Sequence, residues 1–281
     1  MPAETLTIRV LLTEAVEMLA TDSPRLEAEL LLAGSLGKNR SYLYAWPEEI
    51  PPAEIRARFR ELLQRRAAGE PVAYLLGQRE FWSLPLAVTP ATLIPRPETE
   101  TLVALALQRI PADADAWIAD LGTGSGAIAL AIARERPRCR IIATDISPEA
   151  LAVAAANAER LGLSNVQCLA GDWCTALPDV PFDLIASNPP YIAENDIHLS
   201  SGDVRFEPRH ALAAGPQGMD ALQHIARCAR NRLSPHGWLL LEHGYDQVQP
   251  AIRLLRSSGY ESVQDYPDDT GRGRVVAGRA P

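Results

Sequence analysis

Asn188-Pro189-Pro190-Tyr191 is the stretch of this 281-residue chain whose residue types most directly suggest chemistry. It follows Phe182-Asp183-Leu184-Ile185-Ala186-Ser187, a run that reads as a buried strand. Two prolines cannot donate ladder hydrogen bonds, so strand pairing must stop there. The residue before a proline is pushed to extended geometry, which stiffens the Asn188-Pro189 turn. Such a turn offers a side-chain amide oxygen at Asn188, a carbonyl at Pro189 and the aromatic face of Tyr191. Two acceptors and a ring suit a planar target carrying an NH2 group.

A second strand exit points to the other reactant. Trp117-Ile118-Ala119-Asp120-Leu121 reads as a strand, Gly122-Thr123-Gly124-Ser125-Gly126 as a turn, and Ala127 onward as a helix. Glycines at a strand-to-helix turn let backbone N–H groups approach a ligand closely. The next strand ends in Asp145, 19 residues beyond Gly126. An acidic residue about 20 residues downstream is placed to accept from ribose hydroxyls. A nucleoside-containing cofactor is therefore expected on this loop and Asp145. Gly122, Gly124 and Ala127 also satisfy a dinucleotide pattern, which the loop by itself leaves open. Its pairing with Asn188-Pro189-Pro190-Tyr191 resembles S-adenosylmethionine-dependent methyltransferases that act on amino or amide nitrogen. Asp172-Trp173, at a third strand exit, is expected to lie against the adenine.

The elements that must position these residues alternate along the chain. Strands are expected at 117–121, 140–145, 165–170, 182–187 and 237–242, and helices at 126–136, 148–161, 218–233 and 246–258. Strand–helix alternation implies a mainly parallel sheet covered on both faces, with ligands beyond the carboxyl ends of its strands. All four motif segments fall at those ends. The tail, 261–265 and 274–278, is expected to add an antiparallel edge pair. Residues 192–215 lack periodicity and are too long for a plain connection, so we expect a lid over the substrate.

The first 75 residues show helical spacing only. Leu6, Val10, Leu11, Ala15 and Leu19 share one face; Leu26, Leu30 and Leu31 are expected inward on a second helix behind Ser23-Pro24; a third runs from about Ala53 to Ala68. The third helix carries Arg56, Arg58, Arg60, Arg65 and Arg66, read as a solvated face balanced by Glu54, Glu61 and Glu70. Phe81 to Val88 reads as a hairpin turning near Pro85, and Leu93 to Glu100 as a proline-stiffened strap walling the pocket. The expected domains are thus 1–75, helical and substrate-recognising; 76–98, a linking hairpin; and 99–281, the cofactor-binding domain.

Composition narrows the class. The charge balance is 27 − 35 = −8, without the basic footprint of nucleic-acid binding. Cys139, Cys168, Cys174 and Cys228 form no C-x-x-C, and the five histidines no H-x-x-x-H, so no metal is expected and the thiols are expected reduced and unpaired. No apolar run reaches a membrane span, and the first residues lack a basic-then-apolar leader, so a cytoplasmic protein is expected.

On these residues the chain resembles one family over about 5–279: HemK/PrmC, the protein-glutamine N5-methyltransferases of peptide chain release factors. The carriers are Gly69-Glu70-Pro71-Val72-Ala73-Tyr74-Leu75-Leu76-Gly77, Ile94-Pro95-Arg96-Pro97-Glu98-Thr99-Glu100, Asp120–Gly126, Gly171-Asp172-Trp173, Asn188–Tyr191 and Leu240-Leu241-Glu242-His243-Gly244. The resemblance implies an α/β fold: a seven-stranded, Rossmann-like class I methyltransferase domain behind an N-terminal helical bundle and a hairpin. It implies S-adenosylmethionine bound by Gly122, Thr123, Gly124, Ser125, Gly126, Asp145, Trp173 and Asn188, and release product S-adenosylhomocysteine. It implies that Asn188, Pro189, Pro190 and Tyr191 hold the Gln of a Gly-Gly-Gln tripeptide, with Asn188, Pro189 and Tyr191 catalytic. The partners implied are release factors, with no membrane, no nucleic-acid substrate and a monomeric enzyme. A related glutamine methyltransferase of a large-subunit ribosomal protein tends to carry Pro-Arg-Ser-Pro where this chain has Pro95-Arg96-Pro97-Glu98. An exocyclic-amine methyltransferase of DNA or RNA, and a non-catalytic cofactor-binding adaptor, are the other readings. Cys174 departs from the pattern, since an aromatic often follows the Trp.

Overall fold

A computed structural model describes residues 6–281. The chain divides into two compact units, one up to Gly77 and one from Gln78 onward. The first is helical: α1 (Ile8–Met18), α2 (Pro24–Leu36), α3 (Arg40–Ala45), α4 (Ala53–Ala67) and α5 (Val72–Leu76). Ile8, Leu11, Leu12, Ala15, Leu31, Leu32, Phe59, Leu62 and Leu63 form its core. Leu26, expected inward, is 41% exposed; the buried stripe of α2 runs instead through Ala28, Leu31 and Leu32. Arg66, expected on a solvated face, is buried and donates to both carboxylate oxygens of Glu27 at 2.8 and 3.0 Å. The ion pair is what makes burying the guanidinium tolerable.

The second unit opens with a hairpin, β1 (Gln78–Phe81) and β2 (Leu84–Ala87). Its turn is Trp82-Ser83, both with positive φ (51° and 57°), not Pro85. Pro85 sits within β2 opposite Glu80, tolerated because the two-stranded ribbon leaves its nitrogen unpaired on an edge.

The sheet then forms as the alternation predicts. It comprises β3 (Trp117–Leu121), β4 (Arg140–Asp145), β5 (Val166–Ala170), β6 (Phe182–Ser187), β7 (Leu233–Glu242), β8 (Glu261–Pro267) and β9 (Gly273–Arg279). The spatial order is β5-β4-β3-β6-β7-β9-β8, parallel from β5 to β7 and antiparallel for the last two. Helices α6 (Glu100–Arg109), α7 (Ala127–Glu135), α8 (Pro148–Leu161), α9 (Asp220–Arg230) and α10 (Val248–Ser257) cover both faces. Every residue of α7 from Ala127 to Ala133 is buried, which fits its alanine-rich, all-apolar sequence. β7 begins four residues earlier than its apolar run, because Leu233 pairs with Phe182 across an irregular Ser234-Pro235-His236 step. The strand order reverses at β3/β6, and crevices at such switch points are where open α/β sheets bind ligands.

The cysteines correct an expectation. Cys174 and Cys228 form a disulfide, whereas Cys139 and Cys168 stay free. The short 3-10 turn Trp173–Ala176 packs on α9 and brings the two Cα atoms to 6.0 Å. Their separation of 54 residues carries no spacing signal.

Candidate active site

Four strand exits converge at the switch point. The β3 exit is held by backbone: Thr123 N–H donates to the Thr144 carbonyl at 2.8 Å, and Gly124 N–H to Asp145 Oδ2 at 2.9 Å. Gly122 and Gly124 adopt φ of 70° and 57°, left-handed geometry that strains any side-chain-bearing residue. A Cβ on Gly122 would stand 3.0 Å from the Trp173 ring, so the glycine also makes room for the indole. Beneath the loop, buried Asp120 accepts from the Thr123 hydroxyl at 2.6 Å and from Ala129 N–H at 3.1 Å. Burial pushes its carboxyl up to about 7 against those two bonds.

These segments wall a cavity of about 250 Å³ lined by Gly122, Thr123, Gly124, Ser125, Asp145, Asp172, Trp173, Asn188 and Pro190. Ile128 and Ile146 add apolar walls, and Leu93, Pro95, Arg96 and Thr99 bring in the strap. Gly126 stands apart: it does not line the cavity, its φ is 88°, and a Cβ added there would come within 2.8 Å of Leu130 Cδ1, so the glycine marks the packing point where α7 begins. A carboxylate between glycine amides and apolar walls has the donor set and shape of a nucleoside site, so the residues present fit the cofactor that the sequence suggests.

A second cavity of about 280 Å³ adjoins it, lined by Asn188, Pro189, Pro190 and Tyr191 with Leu93, Arg96, Ile192, Val204, Ala211 and Leu212. Leu93, Arg96, Asn188, Pro190 and Ala211 are common to both. The 192–215 stretch is not free: three 3-10 turns shape it, and an isolated bridge joins Ile192 to Ala213. Glu207, fully buried, pairs with Arg96 and accepts from Ile94 N–H at 3.0 Å, tying the stretch to the strap. Burial raises the Glu207 carboxyl, with Arg96 opposing.

Asn188 donates through Nδ2 to the Thr99 hydroxyl oxygen at 3.1 Å. Among the described residues no hydrogen bond engages its Oδ1, and Asn188 lines both cavities. Ser187 pins the preceding turn by donating to the Leu121 carbonyl at 2.6 Å. The Tyr191 hydroxyl makes a long 3.3 Å bond to Glu242 Oε1, and burial raises its phenol. Thr99 and Glu242 lie in segments that carry the resemblance, but reading the sequence assigned neither a role at the site. Thr99 stands at the start of α6 yet makes no cap bond, its hydroxyl being committed elsewhere. The signal for Glu242 was a carboxylate ending the apolar run Trp238-Leu239-Leu240-Leu241, where a solvated charge has no place.

Residues 10–77 match the family described as the PrmC N-terminal domain, and residues 99–206 the methyltransferase small domain. A release factor glutamine methyltransferase of Salmonella typhimurium is 52% identical over 95% of this chain and 97% of its own. This chain belongs to the release factor glutamine methyltransferase family. The Escherichia coli member is 48% identical over 95% of this chain and 97% of its own. Among solved structures, a methyltransferase from Pyrococcus furiosus aligns over 70% of this chain and 88% of its own with a TM-score of 0.53 at 20% identity, a likeness of fold. Among the described residues no helix is long and apolar enough to cross a membrane.

Proposed function

We propose that this protein transfers a methyl group to the side-chain amide nitrogen of the glutamine in the Gly-Gly-Gln motif of class 1 peptide chain release factors. The observation that carries the reading is that Asn188 and Pro190 border both cavities. One is framed by Gly122–Ser125, Asp145 and Trp173, the other by Pro189 and Tyr191, and Asn188 is the shared residue whose side-chain amide can serve both. S-adenosylmethionine, held by the first set, would supply an electrophilic methyl carbon; as the nitrogen–carbon bond forms the sulfur–carbon bond would break, and S-adenosylhomocysteine would leave. Gly122, Thr123, Gly124 and Ser125 offer backbone around it, Asp145 accepts from ribose hydroxyls, and the Trp173 indole covers the base.

In the second cavity Asn188 Oδ1 and the Pro189 carbonyl accept the two hydrogens of the substrate NH2. A carboxamide nitrogen is a poor nucleophile because its lone pair is delocalised into the carbonyl. Two acceptors on its hydrogens favour lone-pair density on nitrogen, and the Tyr191 ring keeps the flat amide in plane. The methylated nitrogen becomes acidic and loses its proton to water after transfer, so no strong base is needed. Positioning and fixed dipoles therefore supply the rate.

Residues 1–75 serve as the release-factor recognition domain, with 76–98 as the link and 99–281 as the catalytic part. The protein acts as a cytoplasmic monomer. The test incubates it with methyl-labelled S-adenosylmethionine and a purified release factor, beside a Gln→Ala variant of the tripeptide. Label on the first and none on the second is expected; label on both, or on neither, overturns the reading.

A further inference from the structure

The second cavity is poor in donors. The lining side chains able to donate are Arg96, Asn188 and Tyr191, and two of them are engaged: the Asn188 NH2 faces the Thr99 hydroxyl and the Tyr191 hydroxyl donates to Glu242. Pro189 and Pro190 have no N–H. The N–H groups of Ile192, Ala211 and Leu212 donate to the carbonyls of Leu212, Pro208 and Arg209. Arg96 is the exception. It lines both cavities, its side chain is 32% exposed, and among the described residues its hydrogen bond goes to Glu207. A guanidinium carries five N–H donors, so most of this one's are unspent.

Glu207 sets where they point. Its side chain is fully buried, and each of its oxygens serves a different donor. Oε2 accepts from Ile94 N–H at 3.0 Å, which pins the carboxylate to the main chain of the strap. Oε1 takes Arg96 Nη2. The guanidinium is thus anchored from the 192–215 stretch, which also brings Val204, Ala211 and Leu212 to the cavity wall.

We propose that Arg96 is a substrate-binding residue, donating to main-chain carbonyl oxygens of the Gly-Gly segment that carries the glutamine, and that Glu207 is its positioning residue. The inference rests on the substrate proposed above. Two glycines offer no side chain to recognise, so their peptide groups are what the site can read. Asn188 Oδ1 and the Pro189 carbonyl are acceptors and serve the substrate NH2. Carbonyl oxygens need a donor, and Arg96 is the side chain with donors to give. The first cavity has others, the Ser125 hydroxyl, the Trp173 indole and His210, so the guanidinium is needed more on the substrate side.

Steady-state kinetics on a purified release factor test this. Arg96→Met keeps an apolar stem and removes every side-chain N–H. We expect KM for the release factor to rise roughly 10- to 100-fold, the range for a hydrogen bond to a charged group. Its kcat should stay within about threefold, because a contact made alike in ground and transition state moves KM alone. Calorimetric affinity for S-adenosylmethionine should change by less than about threefold, which also shows the variant to be folded. Glu207→Gln should raise KM roughly tenfold. Glutamine has one side-chain oxygen for two donors, so its NH2 must meet either Ile94 N–H or Arg96. In the Arg96→Met background the same change should add less than about twofold, whereas a carboxylate that only braced the stretch would cost as much there as in the wild type. A wild-type KM in Arg96→Met, or a loss that falls on S-adenosylmethionine affinity instead, overturns the Arg96 role. Losses that multiply in the double variant overturn that of Glu207. Either result beside a wild type that labels the release factor leaves the proposed function standing; a wild type that labels none sinks both.

Discussion

Asp120 and Glu242 are the same kind of object in two places. Each is a carboxylate in the last two residues of a central strand, each is fully buried, and each is pushed up to about 7 by desolvation. They differ in what they hold. Asp120, at the end of β3, holds main chain: the first turn of α7 through Ala129 N–H and the glycine loop through Thr123. Glu242, at the end of β7, holds a side chain, accepting from the Tyr191 hydroxyl at 3.3 Å. The cofactor side is thus built from backbone, whose shape glycines permit and few side chains decide. The substrate side is built from side chains, whose orientation depends on who donates to whom. A backbone cradle tolerates sequence change away from its glycines; a side-chain clamp does not.

Asn188→Ala is the sharpest way to break that contrast. Turnover should fall roughly 10²–10³-fold, the scale for losing one preorganised polar contact. Steady-state kinetics on a release factor check this, and a loss under about threefold would mean the clamp is not where the rate is made.

Stability against pH should come next in size. Both carboxyls are raised in the folded state, so the unfolded chain releases their protons at lower pH than the native protein does. Their contribution to stability is therefore complete below the ordinary carboxylate range and disappears as pH rises through about 7. Each group accounts for on the order of a few kcal/mol. Melting temperatures across this window should drop toward alkaline pH. Asp120→Asn and Glu242→Gln should each flatten part of the drop. An equal slope in both variants and wild type would remove the likeness between the two sites.

Gly122→Ala probes the cradle. Left-handed strain of about 1–2 kcal/mol adds to the contact with Trp173, so cofactor affinity should fall about tenfold. At saturating cofactor kcat should be nearly unchanged, since the clamp is untouched. A kcat effect larger than the affinity effect would show that the two halves are not separable.

Much of the fold was legible because its signals are local. Strands β3, β4 and β6 end where their apolar runs meet glycine, Asp145 and proline, and the helix over Pro148–Leu161 is announced by Ser147-Pro148 and Gly162. Capping, φ restriction and periodicity act within a few residues, so a linear reading finds them. The hairpin turn was misread because Pro85 is the stronger local breaker, yet the ribbon seats it on an edge and puts the strain on Trp82 and Ser83. Leu26 was misplaced because α2 offers apolar residues on more than one face, and packing chooses among them.

By itself the sequence determined which strand exits carry glycine, carboxylate, amide and ring, and hence the kinds of ligand that can meet there. Only the tertiary structure decided that Asn188 donates to a threonine 89 positions away, that Tyr191 rests on a carboxylate 51 positions on, and that Cys174 finds Cys228. The reason is physical. Dihedral preferences and amphipathic period are written in neighbouring residues. The direction of a buried hydrogen bond is set by whichever donors and acceptors the sheet register and helix packing bring together.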